Sequence, residues 1–176
     1  WTRIDDNDGI TGGFGVFGAD PTNPNRLYAS NLAAAGPRMV FSTDGGATWD
    51  LDPELDTLMT ADGVFAYQNQ RGPRTNRNSA GVVFSGYPQP SMVAYDPVDA
   101  NIIAAGAIDA GVFLTVDAGA NWMRLTDPIN GNVHLPRPRF AYFDHEPANT
   151  TNLYVGTQGR GVWRIQVRLP TANAGG

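Results

Sequence analysis

One eight-residue pattern, met twice, limits what this chain can fold into more than any other feature. Ser42-Thr43-Asp44-Gly45-Gly46-Ala47-Thr48-Trp49 recurs in altered form as Thr115-Val116-Asp117-Ala118-Gly119-Ala120-Asn121-Trp122. Each copy follows an apolar, strand-like run, Arg38-Met39-Val40-Phe41 in one case and Gly111-Val112-Phe113-Leu114 in the other. Each precedes a further short run, Asp50-Leu51 and Met123-Arg124-Leu125. A Gly-bearing turn between two apolar runs reads as a hairpin, and its recurrence reads as a repeat architecture.

A second signal precedes each octet. Phe17-Gly18-Ala19-Asp20-Pro21 leads to Asn25-Arg26-Leu27-Tyr28-Ala29-Ser30, and Val93-Ala94-Tyr95-Asp96-Pro97 leads to Asn101-Ile102-Ile103-Ala104-Ala105-Gly106. A third copy, Ala141-Tyr142-Phe143-Asp144 and then Asn152-Leu153-Tyr154-Val155-Gly156, continues into Gly161-Val162-Trp163-Arg164-Ile165. Each unit is strand, Asp-type turn, strand, loop, strand, octet, strand. Four short antiparallel strands per unit predict an all-β fold, a β-propeller of four-stranded blades.

The count of units is about three, and the ring is expected to be incomplete, since closed propellers use about 4–8 blades. Trp1-Thr2-Arg3-Ile4 reads like the strand after an octet, with Trp1 where Trp49 and Trp122 stand. The third unit stops after its third strand, with Trp163 aligned to Phe113. The expected layout is the end of a preceding blade and a connection over 1–12, a blade over 13–52, an inserted loop over 53–90, a blade over 91–126 and a last blade over 139–168. The remaining blades of the same propeller, or another chain, are expected to complete the ring. Residues 169–176 form a small-residue linker that resembles the opening of a PKD-type immunoglobulin-like domain.

Composition agrees and sets outer limits. Gly 21 and Pro 13 favour turns and short strands over helices. Net charge is −5 and the basic residues are all Arg, a balance that disfavours general nucleic-acid binding. Cysteine is absent, so neither a disulfide nor a thiolate metal site can form. No apolar run approaches the ~18 residues of a membrane-spanning helix.

The octets resemble the Asp box, Ser/Thr-x-Asp-x-Gly-x-Thr/Asn-Trp, of the BNR repeats in sialidase-like, VPS10-like and xyloglucanase-like propellers. Ser42, Asp44, Gly46 and Trp49 fit it in the first copy, and Thr115, Asp117, Gly119 and Trp122 in the second. The resemblance implies that these residues are structural and lie away from the ligand. Physically, the Asp accepts N–H bonds within a tight turn, the Gly takes positive φ, and the Trp packs between blades. Any binding site is then expected on the opposite loops, and the setting is expected to be extracellular or at a cell surface.

On those loops the insertion stands out: Trp49 to Trp122 covers 73 positions, against 48 from Trp1 to Trp49. Tyr67, Arg71, Arg74, Arg77 and Tyr87 lie within it, while His134, Arg137 and Arg160 lie on other loops. Guanidinium groups bind anions bidentately and aromatic rings stack on sugar faces, which makes these eight the candidate ligand contacts. A long polar loop is equally compatible with a solvated flap or a cover for a neighbour. His145 falls in the Asp-type turn, on the octet side.

Catalysis is the second possibility. Glycoside hydrolysis commonly needs two carboxylates roughly 5–10 Å apart. Asp5, Asp6, Asp8, Asp56, Asp62 and Asp109 are the loop acids, and Asp109 is the leading candidate because its turn is expected near the propeller axis. The Phe-Arg-Ile-Pro motif of sialidases is absent, which argues against that activity. Asp5, Asp6 and Asp8 are the only candidates for Ca2+, without the alternating spacing of an EF-hand loop. The expected function is a non-catalytic carbohydrate- or protein-binding module of a larger secreted protein; part of a glycoside hydrolase is the alternative.

Overall fold

A computed structural model describes residues 14–31, 38–62, 68–69, 76–77, 83–84, 87–126, 135, 137–145 and 150–167. The first sheet is an antiparallel meander of β1 (Phe14–Ala19), β2 (Leu27–Asn31), β3 (Arg38–Ser42) and β4 (Asp50–Leu51). Helix α1 (Pro53–Met59) follows, then two short ladders, one nested within the other. In these β5 (Gln68–Asn69) pairs with β8 (Tyr87–Pro88), and β6 (Asn76–Arg77) with β7 (Val83–Phe84). A second four-stranded meander comprises β9 (Pro90–Tyr95), β10 (Ile103–Ala107), β11 (Gly111–Thr115) and β12 (Met123–Arg124). The third sheet holds three strands, β13 (Pro138–Asp144), β14 (Thr151–Thr157) and β15 (Val162–Val167).

The three sheets are equivalent over their first three strands. Ala29 pairs with Val40, Ala105 with Phe113 and Val155 with Trp163, so the three repeats share one register. First strands lie side by side, with β9 packed between β1 and β13. Meander sheets fanned around their first strands are propeller blades. The chain is therefore an incomplete β-propeller of two four-stranded blades and one three-stranded blade.

Strand alternation gives each sheet two faces, and the core is the sum of the faces that meet. Between blades 1 and 2, Val16, Tyr28, Met39 and Phe41 of the first pack against Val93, Ile103, Ala105, Phe113 and Trp122 of the second. Between blades 2 and 3, Met92, Ala94, Ala104, Val112 and Leu114 meet Ala141, Phe143, Leu153, Val155, Ile165 and Val167. Leu27, Ala29, Val40 and Trp49 form a smaller cluster on the other face of blade 1. Small residues on the inner strands let the blades approach, and Gly18 lies directly over Val93.

The Asp-type turns are built alike. Asp20 Oδ1 accepts the Thr22 and Asn23 N–H groups at 2.7 and 3.0 Å, and Asp96 Oδ1 accepts those of Val98 and Asp99 at 2.8 and 3.2 Å. These turns also stitch blades together. Arg26 pairs with Asp20 at 3.0 Å and reaches the Ala100 carbonyl at 3.2 Å, while His145 Nε2 lies 2.8 Å from Asp96 Oδ1.

The segment from 53 to 90, expected as a plain inserted loop, opens with α1. Asp52 caps it by accepting the Leu55 N–H at 2.9 Å, and Pro53 fills its first turn without an orphan donor. Leu55 and Met59, one helical turn apart, are buried between blades 1 and 2 together with Ala61. The Asp-Pro-Glu start and the Leu55/Met59 spacing were the available signals.

Candidate functional site

Both octets join third and fourth strands, and both fold into the same clasp. Asp44 Oδ1 accepts the Ser42 hydroxyl at 2.8 Å and the Thr48 N–H at 2.9 Å, while Oδ2 accepts the Thr48 hydroxyl at 2.6 Å. Asp117 repeats this with the Thr115 hydroxyl at 2.7 Å, the Asn121 N–H at 2.8 Å and the Asn121 side-chain amide at 2.7 Å. Ser42 and Thr115 in turn accept the N–H groups of Gly46 and Gly119 at 2.9 and 3.0 Å. Gly46 and Gly119 hold φ of 88° and 93°, the left-handed region open to glycine.

These bonds fix the charge on both carboxylates. Thr48, by side chain and backbone, and then Ser42 hold Asp44 down to about 2. Asn121 and Thr115 hold Asp117 below the usual carboxylate range. A carboxylate so engaged cannot serve as a proton donor near neutral pH.

Beside the second clasp lies an open cleft of about 400 Å³ between blades 1 and 2, lined by Tyr28, Phe41, Leu51, Asp52, Glu54 and residues 117–120. Buried Asp52 organises its floor, with Oδ2 accepting both the Tyr28 hydroxyl and the Trp122 indole N–H at 2.8 Å. Burial, reinforced by the Asp52 charge, pushes the Tyr28 hydroxyl far up. Burial likewise pushes the neighbouring Tyr95 up to about 12. Asp56, counted among the loop acids, is buried and accepts the Met39 N–H at 2.8 Å, which docks α1 onto β3. Neither Asp52 nor Tyr28 was singled out from the sequence, because the partners that define them are 70 and 24 residues distant.

The opposite ends of blades 2 and 3 gather three of the expected site residues. Asp109 lies in the β10–β11 turn, where Gln89 grips it twice: Gln89 Nε2 donates to Oδ2 at 2.8 Å and Oε1 accepts the Asp109 N–H at 3.1 Å. Arg137, at φ 54°, donates its N–H to the Ile108 carbonyl at 2.9 Å, and its own carbonyl accepts the Gln158 N–H at 3.0 Å. Two backbone bonds thus bring the Asp109 turn, Arg137 and the β14–β15 loop carrying Arg160 to one place. Arg139 donates to the Gln158 side chain at 2.7 Å, and the Arg160 carbonyl accepts the Trp163 indole N–H at 3.0 Å. Gln89, Arg139 and Gln158 are additions to the expected set.

Tyr67, Arg71, Arg74 and His134 lie outside the described residues, as do Asp5, Asp6 and Asp8. Arg77 and Tyr87 are placed in short ladders by their backbones alone. Among the described residues, no three His, Cys, Asp or Glu side chains group as a metal site. No helix among the described residues is long and apolar enough to cross a membrane.

No family model and no curated protein matches the chain. Among solved structures it is similar to the GH74 enzyme of Niastella koreensis, at 17% identity and a TM-score of 0.49, covering 90% of this chain and 23% of that one. It is similar also to the GH74 xyloglucanase of Xanthomonas campestris, at 17% identity and a TM-score of 0.48, covering 92% and 24%. An ancestral GH74 enzyme is matched at 13% identity and a TM-score of 0.33, covering 94% and 32%. The chain thus spans less than a third of the length of each. The propeller architecture itself rests on the three sheets and their shared register.

Proposed function

We propose that this chain is part of an Asp-box propeller acting as a non-catalytic binding module, with its ligand surface at the loop ends of blades 2 and 3. What supports this reading is how seven of the described carboxylates are engaged. Asp44 and Asp117 clasp turns, Asp52 and Asp56 fix α1, and Asp20 and Asp96 close hairpins. Asp109 is gripped by Gln89. Arg137, Arg139 and Arg160, all exposed, supply positive charge suited to a carboxylate-bearing glycan. In this reading the module belongs to a larger extracellular protein, other blades complete the ring, and the segment after residue 168 leads toward a PKD-type domain.

Titration with acidic and neutral oligosaccharides, read by calorimetry, tests the assignment. Acidic glycans should bind, and a double Arg137→Ala and Arg160→Ala variant should bind at least tenfold more weakly. Equal affinity in that variant would remove the site from this face.

The alternative, part of a glycoside hydrolase, has Asp109 in its favour: a partly buried acid on the loop side, held in a defined position by Gln89. If the parent protein hydrolyses a polysaccharide, Asp109→Asn should lower the rate by at least a hundredfold. Unchanged hydrolysis would exclude Asp109 as its acid.

A further inference from the structure

The cleft between blades 1 and 2 stands apart from the ligand surface proposed above. It opens at the octet end of the blades, since β11 runs from the Asp109 turn to Thr115, and Asp117 just beyond it lines the cleft. Phe41, Leu51 and Pro53 on the blade 1 side face residues 117–120 of the second clasp. The Tyr28 and Phe41 rings add an aromatic surface, with centroids 5.9 Å apart and planes tilted by 35°. Leu51 is 47% exposed and Pro53 is exposed beside it, so the rim is apolar as well.

Against these apolar walls the cleft carries charge of one sign. Among the described residues, its charged lining side chains are all acidic: Asp52, Glu54 and Asp117. Asp52 is buried, and its carboxylate meets the Leu55, Tyr28 and Trp122 donors. Glu54 and Asp117 are exposed, and the clasp keeps Asp117 ionised. Such a cleft repels anions, and a wholly apolar ligand would strip water from the carboxylates without replacing it. Its complement is a cation carried on a flat or aliphatic body. A guanidinium meets both demands, because it stacks on aromatic rings, forks onto carboxylates and sheds water more readily than an ammonium.

We propose that this cleft docks an arginine side chain presented by a protein partner. The guanidinium lies among Phe41, Glu54 and Asp117, while Leu51 and Pro53 cover the residues that flank it in the partner. Those flanking contacts favour a protein segment over a free polyamine, which has no side chains to set against an apolar rim. An arginine anchor inside a ring of apolar contacts is a frequent source of binding energy at protein interfaces. The glycan surface lies at the other end of the blades and depends on Arg137 and Arg160, so each site can fail alone.

A fluorescently labelled peptide, acetyl-Ala-Leu-Arg-Leu-Ala-amide, titrated into the complete protein that carries this chain and read by anisotropy, tests the assignment. Binding should saturate, and glutamine in place of the peptide's arginine should weaken it at least tenfold. Glu54→Gln removes a rim charge at an exposed position and should weaken binding at least threefold. Ala120→Arg, also at an exposed position, sets the protein's own guanidinium at the cleft and should weaken it at least tenfold. The double Arg137→Ala and Arg160→Ala variant should bind the peptide unchanged. Spermine should displace the peptide only at concentrations at least tenfold higher. An absence of saturable binding, equal affinity for the glutamine peptide, or full affinity in either cleft variant would overturn the proposal. Spermine binding as tightly as the peptide would assign the cleft to free polyamines and overturn the protein-partner reading.

Discussion

The two clasps share their polar bonds and differ in where the tryptophan points its N–H. Trp49 donates to the Gly46 carbonyl of its own clasp at 3.1 Å, whereas Trp122 donates across the blade boundary to Asp52 at 2.8 Å. The second clasp also rests on Tyr28 of the first blade, whose ring meets Trp122 edge-on with centroids 5.8 Å apart. A turn motif whose tryptophan N–H bonds within its own clasp in blade 1 is thus, in blade 2, part of a joint between repeats. One motif does two jobs, and the neighbour decides which.

Removing the joint should cost most. Asp52→Ala strips the acceptor from two buried donors and uncaps α1, with an expected loss of about 3–5 kcal/mol in urea unfolding. A loss under about 1 kcal/mol would show that the joint contributes little to stability. Next in size is the glycine pair. A Cβ on Gly119 would stand 2.2 Å from the Tyr28 hydroxyl at a φ of 93°, so Gly119→Ala should cost about 2–4 kcal/mol. Gly46→Ala, at the matching position of the first clasp, should cost about 1–2 kcal/mol from backbone strain. Equal costs would contradict the blade-boundary role of the second clasp.

Smaller effects separate the preceding position of each clasp. Gly45 in the first clasp and Ala118 in the second both take positive φ, 74° and 64°. Ala118→Gly should therefore stabilise by about 0.5–1 kcal/mol in thermal unfolding, and Gly45→Ala should destabilise by a similar amount. The smallest effect is that of pH. Asp44 and Asp117 have folded-state values below the unfolded ~3.9. Their stabilisation is complete above that value and is lost as pH falls through it toward the folded values, about 2 for Asp44. Melting temperature should decline over this window, and Asp44→Asn should flatten part of the decline. A profile unchanged by Asp44→Asn would mean that the carboxylate charge is immaterial to the clasp.

The repeat, the strands and the clasp residues were legible because each depends on neighbours within eight residues of sequence. The eye finds Ser42-x-Asp44, Thr48 and Trp49 in one glance, and the bonds that shape the clasp close within the octet. The insertion was less legible. Its polar middle obscured the helical start at Asp52-Pro53-Glu54, which opens a helix of only seven residues, Pro53–Met59. In the candidate site, Asp109 and Arg137 were readable as loop residues. Their meeting was not, since it depends on Arg137 bonding back to Ile108 and on to Gln158.

The sequence alone determined that this chain is a series of short-strand meanders, two of them carrying an Asp clasp, because alternation, turn chemistry and repetition are local properties. The tertiary structure alone decided which face of each strand is core, where Asp52 and Trp122 meet, and that Phe140, Tyr142 and Val162 of blade 3 are exposed. Those follow from how sheets stack on one another, and stacking brings together residues 70 positions distant in the chain.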